Sequence, residues 1–240
     1  MTHLHLLIPH LQTLASLPNA PALPALARWL SKANNQTAAA SLETNLAALF
    51  GITAPLPSAA LTALADFNLT PTEAQKHHWL RADPVHLRAD QQFLRLFDAS
   101  VLNIQASESA ALTQHLNAFY ANETDALTLT APAPTRWYAK LTHHQQLNTH
   151  SLESVRGLPI HNHLLTGADA RWWHSRWTEI QMLLHQHPIN SARETSGQFS
   201  LNSLWFWGEG QLTAAPTKHW QQVYSNDPLA IGISRWSQTP

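Results

Sequence analysis

Residues 169–210 constrain the fold more than any other stretch. Trp173, Trp177, Ile180 and Leu184 recur at helical spacing, Pro188 closes that pattern, and a turn follows at Gly197. An apolar run from Leu204 to Trp207 then stops at Gly208 and Gly210. This order predicts a helix feeding a buried strand whose end opens into a glycine turn, the place where ligands sit in α/β folds. Trp205 and Trp207 alternate with Phe206, so the two sides of that strand must differ.

With 240 residues the chain makes one large domain or two small ones and can bury a substantial core. Only 12% of residues are charged, about half the usual share, while 44% are apolar. Fourteen basic against fifteen acidic residues give a formal charge of −1, which argues against direct contact with nucleic acid or an anionic membrane. Cysteine is absent, so disulfides, thiolate metal sites and a cysteine nucleophile are excluded together. The N-terminus lacks the basic start and long apolar stretch of a signal peptide, and no run reaches the length of a membrane span. The expectation is a cytoplasmic protein.

Residues 4–8, Leu-His-Leu-Leu-Ile, followed by Pro9, read as the first central strand. Gln12 to Pro24 reads as loop. Helices are expected over Leu23–Ala33, over Ser41–Phe50 with Gly51 as its stop, and over 58–67, all three bland and Ala-rich. Val85–Asp90 and Gln92–Phe97 are β-compatible runs around a polar turn. Ser107 opens a helix with Leu112, Leu116 and Phe119 on one face. Leu127–Thr130 and Arg136–Leu141 flank Ala-Pro-Ala-Pro-Thr as a hairpin, and Ala230–Ile233 is strand-like. The predicted class is α/β, with a mostly parallel central sheet and an inserted α+β domain. Its division is a core from 1–75 and 190–240, an insert over 76–165, and a connecting helix over 166–189.

Asp83-Pro-Val-His-Leu-Arg-Ala-Asp90, preceded by Arg81, crowds two carboxylates, an imidazole and two guanidinium groups into ten residues. On a strand His86, Arg88 and Asp90 share one face, with Asp83 at the strand's entrance. The arginines suit a phosphate, the carboxylates and imidazole suit acid–base work, and a solvated hairpin edge accounts for the same residues. Arg193, Asn190 and Asn202 flank the turn before the tryptophan strand, where they suit an anion or simple turn chemistry. Trp207 beside Gly208 is a candidate ligand wall. Sixteen histidines invite a metal hypothesis, but no His-Glu-x-x-His or comparable spacing occurs, and His185 and His187 read as helix-end groups. Neither a metal ligand set nor a cofactor is expected.

Three separated motifs, Trp79-Leu-Arg-Ala-Asp-Pro-Val-His86, Glu179–Asn190 and Asn202-Ser-Leu-Trp-Phe-Trp-Gly-Glu-Gly210, resemble those of RpfE-type bacterial regulatory proteins. These are relatives of the archaeal-type cofactor-independent phosphoglycerate mutases in the alkaline-phosphatase superfamily. The resemblance covers roughly residues 3–8 and 77–236. It implies descent from enzymes that use two divalent metals held by Asp and His and a Ser or Thr nucleophile. The chain departs from that pattern: Ile8-Pro9-His10 stands where those enzymes place a metal-binding Asp and a Gly, and no nucleophile segment matches. Their remaining ligands would follow the Gly232 region, whereas the sequence ends at Pro240.

The resemblance therefore implies a catalytically degenerate regulatory or binding protein that senses a phosphorylated metabolite. Arg81, Asp83, His86, Arg88, Arg193, Asn202 and Trp207 are its candidate ligand-binding residues. Two alternatives stand beside it: an active metal-dependent phosphotransferase or phosphatase using Asp83, His86 and Asp90 with a further, unrecognised histidine, and a protein-interaction module. An uncovered last sheet edge and an exposed Trp236 would make a homodimer or protein partner fit at the C-terminal edge.

Overall fold

One long strand, β1 (His78–Asp90), is the hub of the fold. The computed structural model describes residues 4–9, 11, 18–19, 21–34, 41–52, 56–123, 127–216 and 220–240. Along β1, residues 78–81 pair with β4 (Arg136–Leu141), 79–85 with β5 (Ser203–Gly210), and 86–90 with β2 (Phe93–Phe97). A fifth strand, β3 (Leu129–Ala133), pairs with β4. Pro84 sits where β1 passes from β4 to β2, so its missing N–H costs no bond on that side.

Every strand pair among the described residues is antiparallel, which corrects the expectation of a mostly parallel sheet. The α/β class holds, since helices and strands mix along the chain. Two-residue turns join β1 to β2 and β3 to β4, a connection that permits only antiparallel neighbours. Both faces are covered along the first half of β5, so Ser203–Trp207 carries a near-continuous apolar run of the kind usually met in parallel sheets.

On one face, Leu80, Ala82, Leu204 and Phe206 pack against α6 (Ala106–Tyr120) and α8 (Ala170–His185) through Leu112, Leu116, Trp173 and Ile180. The helix α8 also guards β5, because the Trp177 indole N–H donates to the Leu204 carbonyl at 2.8 Å. The other face carries two apolar clusters. Trp79 and Tyr138 pack against α3 (Ser58–Asp66) and α10 (Pro228–Trp236), while Val85, Leu87 and Trp205 pack against α7 (Leu152–Val155) and Ile160. Helix α3 is buried from Ser58 to Leu64, because the sheet lies on one side of it and α10 on the other.

The helices α1 (Pro24–Leu30), α2 (Leu42–Leu49), α3, α6 and α8 form close to where periodicity placed them. Short helices α4 (Pro71–Ala74) and α5 (Ala99–Leu102) were not anticipated; each has a side-chain N-cap, Thr70 and Asp98. Residues 4–8 are not a strand, and Leu4 and Leu6 are exposed. Most of the loop expected from Gln12 to Pro24, and His10, lie outside the described residues.

Pro188 ends the α8 periodicity but also starts α9 (Pro188–Thr195), since proline at the first helical position loses no bond and His187 Nδ1 accepts from the Ile189 N–H. The strand expected at Ala230–Ile233 is the middle of α10: Asp227 caps it with bonds from the Leu229 and Ala230 N–H groups, and Pro228 follows as its first residue. Trp236 is buried on that helix, so the exposed tryptophan and strand edge expected at the C-terminus are absent. No described helix is long and apolar enough to cross a membrane.

Gly232 lets α10 approach α3: a Cβ built there would lie 2.0 Å from the Leu61 carbonyl oxygen. Gly232→Ala must push the two helices apart and is expected to cost about 3 kcal/mol. Urea unfolding measures it; an unchanged midpoint would mean that the crossing is looser than described.

Candidate functional site

Between the two apolar clusters on the second sheet face lies a band of polar side chains, with Arg81 and Asp83 at its centre. Alternation along β1 turns both residues to the same side, where Arg81 is 5% and Asp83 1% exposed. The Arg81 Nη2–H groups donate to both Asp83 oxygens, at 2.7 and 2.8 Å, and Nε–H donates to Oδ1 at 3.1 Å. The Trp207 indole N–H adds a bond to Oδ2 at 2.8 Å, and the Trp137 backbone N–H one to Oδ1 at 3.2 Å. Donors on every side fit a carboxylate, because an acid proton would have to face one of these N–H groups.

Burial pushes the Asp83 carboxyl up from its ordinary value, and Arg81, Trp207 and Trp137 oppose that push. Burial likewise works against the Arg81 charge, but Asp83, Tyr138 and Asp66 together outweigh it and hold the guanidinium above its ordinary value. The guanidinium lies 5.0 Å from the Tyr138 ring centre and 5.1 Å from that of Trp207. Asp66, at the end of α3, extends the band by accepting two bonds from Arg136 and one from the Tyr138 hydroxyl. Burial raises the Tyr138 phenol, so it remains a donor.

Asp83 thus sits mid-strand, not at the entrance to β1, and Trp207 is its partner. The other candidates lie elsewhere. Arg193 is 2% exposed and clamps the α9–β5 turn: it donates to the Phe199 carbonyl at 2.7 Å, the Leu102 carbonyl and both Glu108 oxygens at 2.8 Å. Asn202 continues the β1–β5 ladder with its side chain, accepting from the Leu87 N–H at 2.7 Å and donating to the Leu87 carbonyl at 2.9 Å. His86 and Arg88 emerge on the opposite face of β1 from Asp83, as alternation requires. The acid–base set of Asp83, His86 and Asp90 is therefore not assembled.

His86 and Arg88 do share a surface. The Arg88 guanidinium rests 4.6 Å from the Phe97 ring centre, and the His86 ring lies 6.4 Å from Phe97 and 4.9 Å from Phe199. His86 Nδ1 is 2.9 Å from the Ser200 carbonyl, so that nitrogen carries a proton and Nε2 is the acceptor of the neutral ring. Burial lowers the His86 pKa, against the Ser200 carbonyl, and favours the neutral ring. Asp90 is paired with Arg95 at 2.8 Å. Sequence reasoning missed Phe97 and Phe199; the hairpin register, His86 opposite Phe97, was the available signal for the first. Nearby, an open cleft of about 350 Å³ is lined by Leu87, Leu94, Thr178, Gln181, Met182, His185 and Asn202.

No protein-family model matches the chain. Over 65 residues it is 34% identical to a 2,3-bisphosphoglycerate-independent phosphoglycerate mutase of Methanothrix thermoacetophila, a match covering 27% of this chain and 17% of that protein. Among solved structures, a cofactor-independent phosphoglycerate mutase from Thermoplasma acidophilum aligns with 83% of this chain and 56% of its own length, at 14% identity and a TM-score of 0.49. The PH0037 protein from Pyrococcus horikoshii aligns with 83% and 46%, at 16% identity and a TM-score of 0.47. The sequence similarity to a phosphoglycerate mutase is confined to those 65 residues, and the chain spans about half the length of each aligned structure.

Asp83→Asn keeps the shape of the side chain and leaves the Arg81 charge buried without its counter-ion. The expected loss is about 3–5 kcal/mol. Replacing both partners with apolar residues should cost less than the two single changes added together. Denaturant unfolding of Asp83→Asn and of the four proteins in the apolar cycle checks this, and a loss below about 1 kcal/mol for Asp83→Asn would contradict a structural role for the pair.

Proposed function

We propose that this chain is a phosphoglycerate-mutase-related binding protein that recognises a phosphorylated small molecule without transferring its phosphoryl group. The reading rests on one observation: of the three candidate arginines, Arg88 alone is exposed, and it forms no ion pair within 4.0 Å among the described residues. Arg81 and Arg193 are each occupied by a carboxylate in the interior. A guanidinium resting on Phe97 beside a neutral imidazole offers two or more donors to a phosphate in a fixed place.

The similarity over 65 residues to a phosphoglycerate mutase supports a phosphorylated three-carbon acid as the first ligand to test. Absence of turnover is supported by Asp83, whose carboxylate is enclosed by its donors and separated from His86 by the thickness of the strand. The catalytic alternative requires a phosphoryl-transfer site in which Asp83, His86 and Asp90 meet, and β1 keeps them on two faces.

Titration of the chain with 3-phosphoglycerate, followed by calorimetry, is expected to give saturable binding that Arg88→Ala weakens about tenfold, the loss of one charge-assisted bond. Product analysis with Mn²⁺ present is expected to give no 2-phosphoglycerate and no inorganic phosphate. Unchanged affinity in Arg88→Ala, or metal-dependent turnover, would contradict the reading.

A further inference from the structure

The end of β5 carries a β-bulge with a consequence for the chemistry around it. Trp79 pairs with Gly210 and Arg81 with Trp207, so Leu80 alone on β1 faces both Gly208 and Glu209 on β5. Gly208 takes the extra position with φ +68°, a left-handed conformation that favours glycine. Without the bulge, alternation would send Glu209 to the side of Trp205 and Trp207. With it, Glu209 turns to the side of His78 and Leu80, and meets His78 from the start of β1 and His144 from the segment after β4.

These three side chains form a compact donor set. Their ligand atoms all lie within 4.8 Å of one another. Glu209 Oε1 is 3.0 Å from His144 Nδ1 and 3.6 Å from His78 Nδ1. Ligands on a tetrahedral zinc ion, each about 2.0–2.1 Å from it, stand about 3.3 Å apart, between these two separations. His78 Nδ1 is buried and has no hydrogen-bond partner, a rare and costly condition for a ring nitrogen. It is aimed at Glu209 but lies beyond hydrogen-bond range. Among the described residues the ion-pair partners of Glu209 are these two imidazoles, neither of which is charged unless protonated.

A histidine–glutamate pair alone leaves the second imidazole unsatisfied. One cation between the three groups satisfies them together. We propose that His78, His144 and Glu209 bind a single divalent transition-metal ion, with Zn²⁺ the best match. Two imidazoles and one carboxylate favour a borderline ion over Mg²⁺ or Ca²⁺, which take oxygen ligands. Three protein ligands leave a fourth position for water, and His144, with 61% of its side chain exposed, opens that position to solvent. The Gln145 backbone N–H donates to Glu209 Oε1 at 3.2 Å and holds the carboxylate in place, as outer-shell partners of metal ligands do. The ion would tie together three segments distant in sequence, and metal that binds only the folded chain raises its melting temperature.

The site is separate from the His86–Arg88 surface, so either can fail without the other. The test is equilibrium dialysis of the EDTA-stripped full chain against Zn²⁺ with elemental analysis, alongside Co²⁺ absorption and thermal melts. Wild type is expected to bind one Zn²⁺ per chain, to melt at a higher temperature with it, and to give a visible Co²⁺ band. His144→Ala and Glu209→Gln should weaken binding at least tenfold and remove the band, while His143→Ala should retain both. His144 is exposed and glutamine is isosteric with glutamate, so both variants are expected to fold; apo melts and circular dichroism check this. Less than a tenth of an equivalent of Zn²⁺ on wild type, or wild-type affinity in either ligand variant, would overturn the proposal.

Discussion

Two opposite charges buried side by side on β1 set the terms for the rest of the fold. Neither Arg81 nor Asp83 is tolerable in a dry interior by itself, and their attraction offsets desolvation only when the remaining hydrogen-bonding positions are filled. The neighbouring strands provide the groups that fill them: Trp137 on β4 gives a backbone N–H and Trp207 on β5 an indole N–H. Thr62 on α3 accepts a longer bond from Arg81. Strand order, strand register and the seat of α3 are therefore coupled through one carboxylate. A one-residue slip of β5 would turn Trp207 to the other face and withdraw a donor from a buried charge.

That coupling explains which parts were legible in the sequence. Helical periodicity located α2, α3, α6 and α8, because those helices bury a face against one neighbour or are Ala-rich throughout. The density of charged groups around Arg81 and Asp83 was also visible, and so, separately, was the alternation around Phe206 that marks Trp207. Their relationship was not, since a charged pair that closes on itself and one that opens to a ligand have the same residue types. Sheet direction was misread for a similar reason: strands covered on both faces look alike whether parallel or antiparallel. At Ala230–Ile233 a four-residue apolar run was ambiguous between helix and strand, and Asp227-Pro228 was the start signal that decides it.

The His78, His144 and Glu209 set lay beyond sequence reasoning altogether. Its members come from three strands or their extensions, at separations no local motif describes, and the facing of Glu209 depends on a bulge that reverses the alternation. Polar chemistry in this chain is thus sorted by position: the middle of β1 is architectural, while the proposed metal and phosphate sites stand at its two ends, near His78 and near Arg88.

The central claim is that Arg81, Asp83 and Trp207 hold the structure together and that phosphate meets Arg88 instead. Nitrogen–proton NMR of the arginine Nε–H and tryptophan indole N–H groups, recorded while phosphate or 3-phosphoglycerate is added, addresses it most directly. The account predicts that the Arg81 and Trp207 signals stay in place and exchange with solvent only on global unfolding, while the Arg88 signal moves with ligand. Ligand-dependent shifts or fast exchange at Arg81 and Trp207, with Arg88 unmoved, would contradict it.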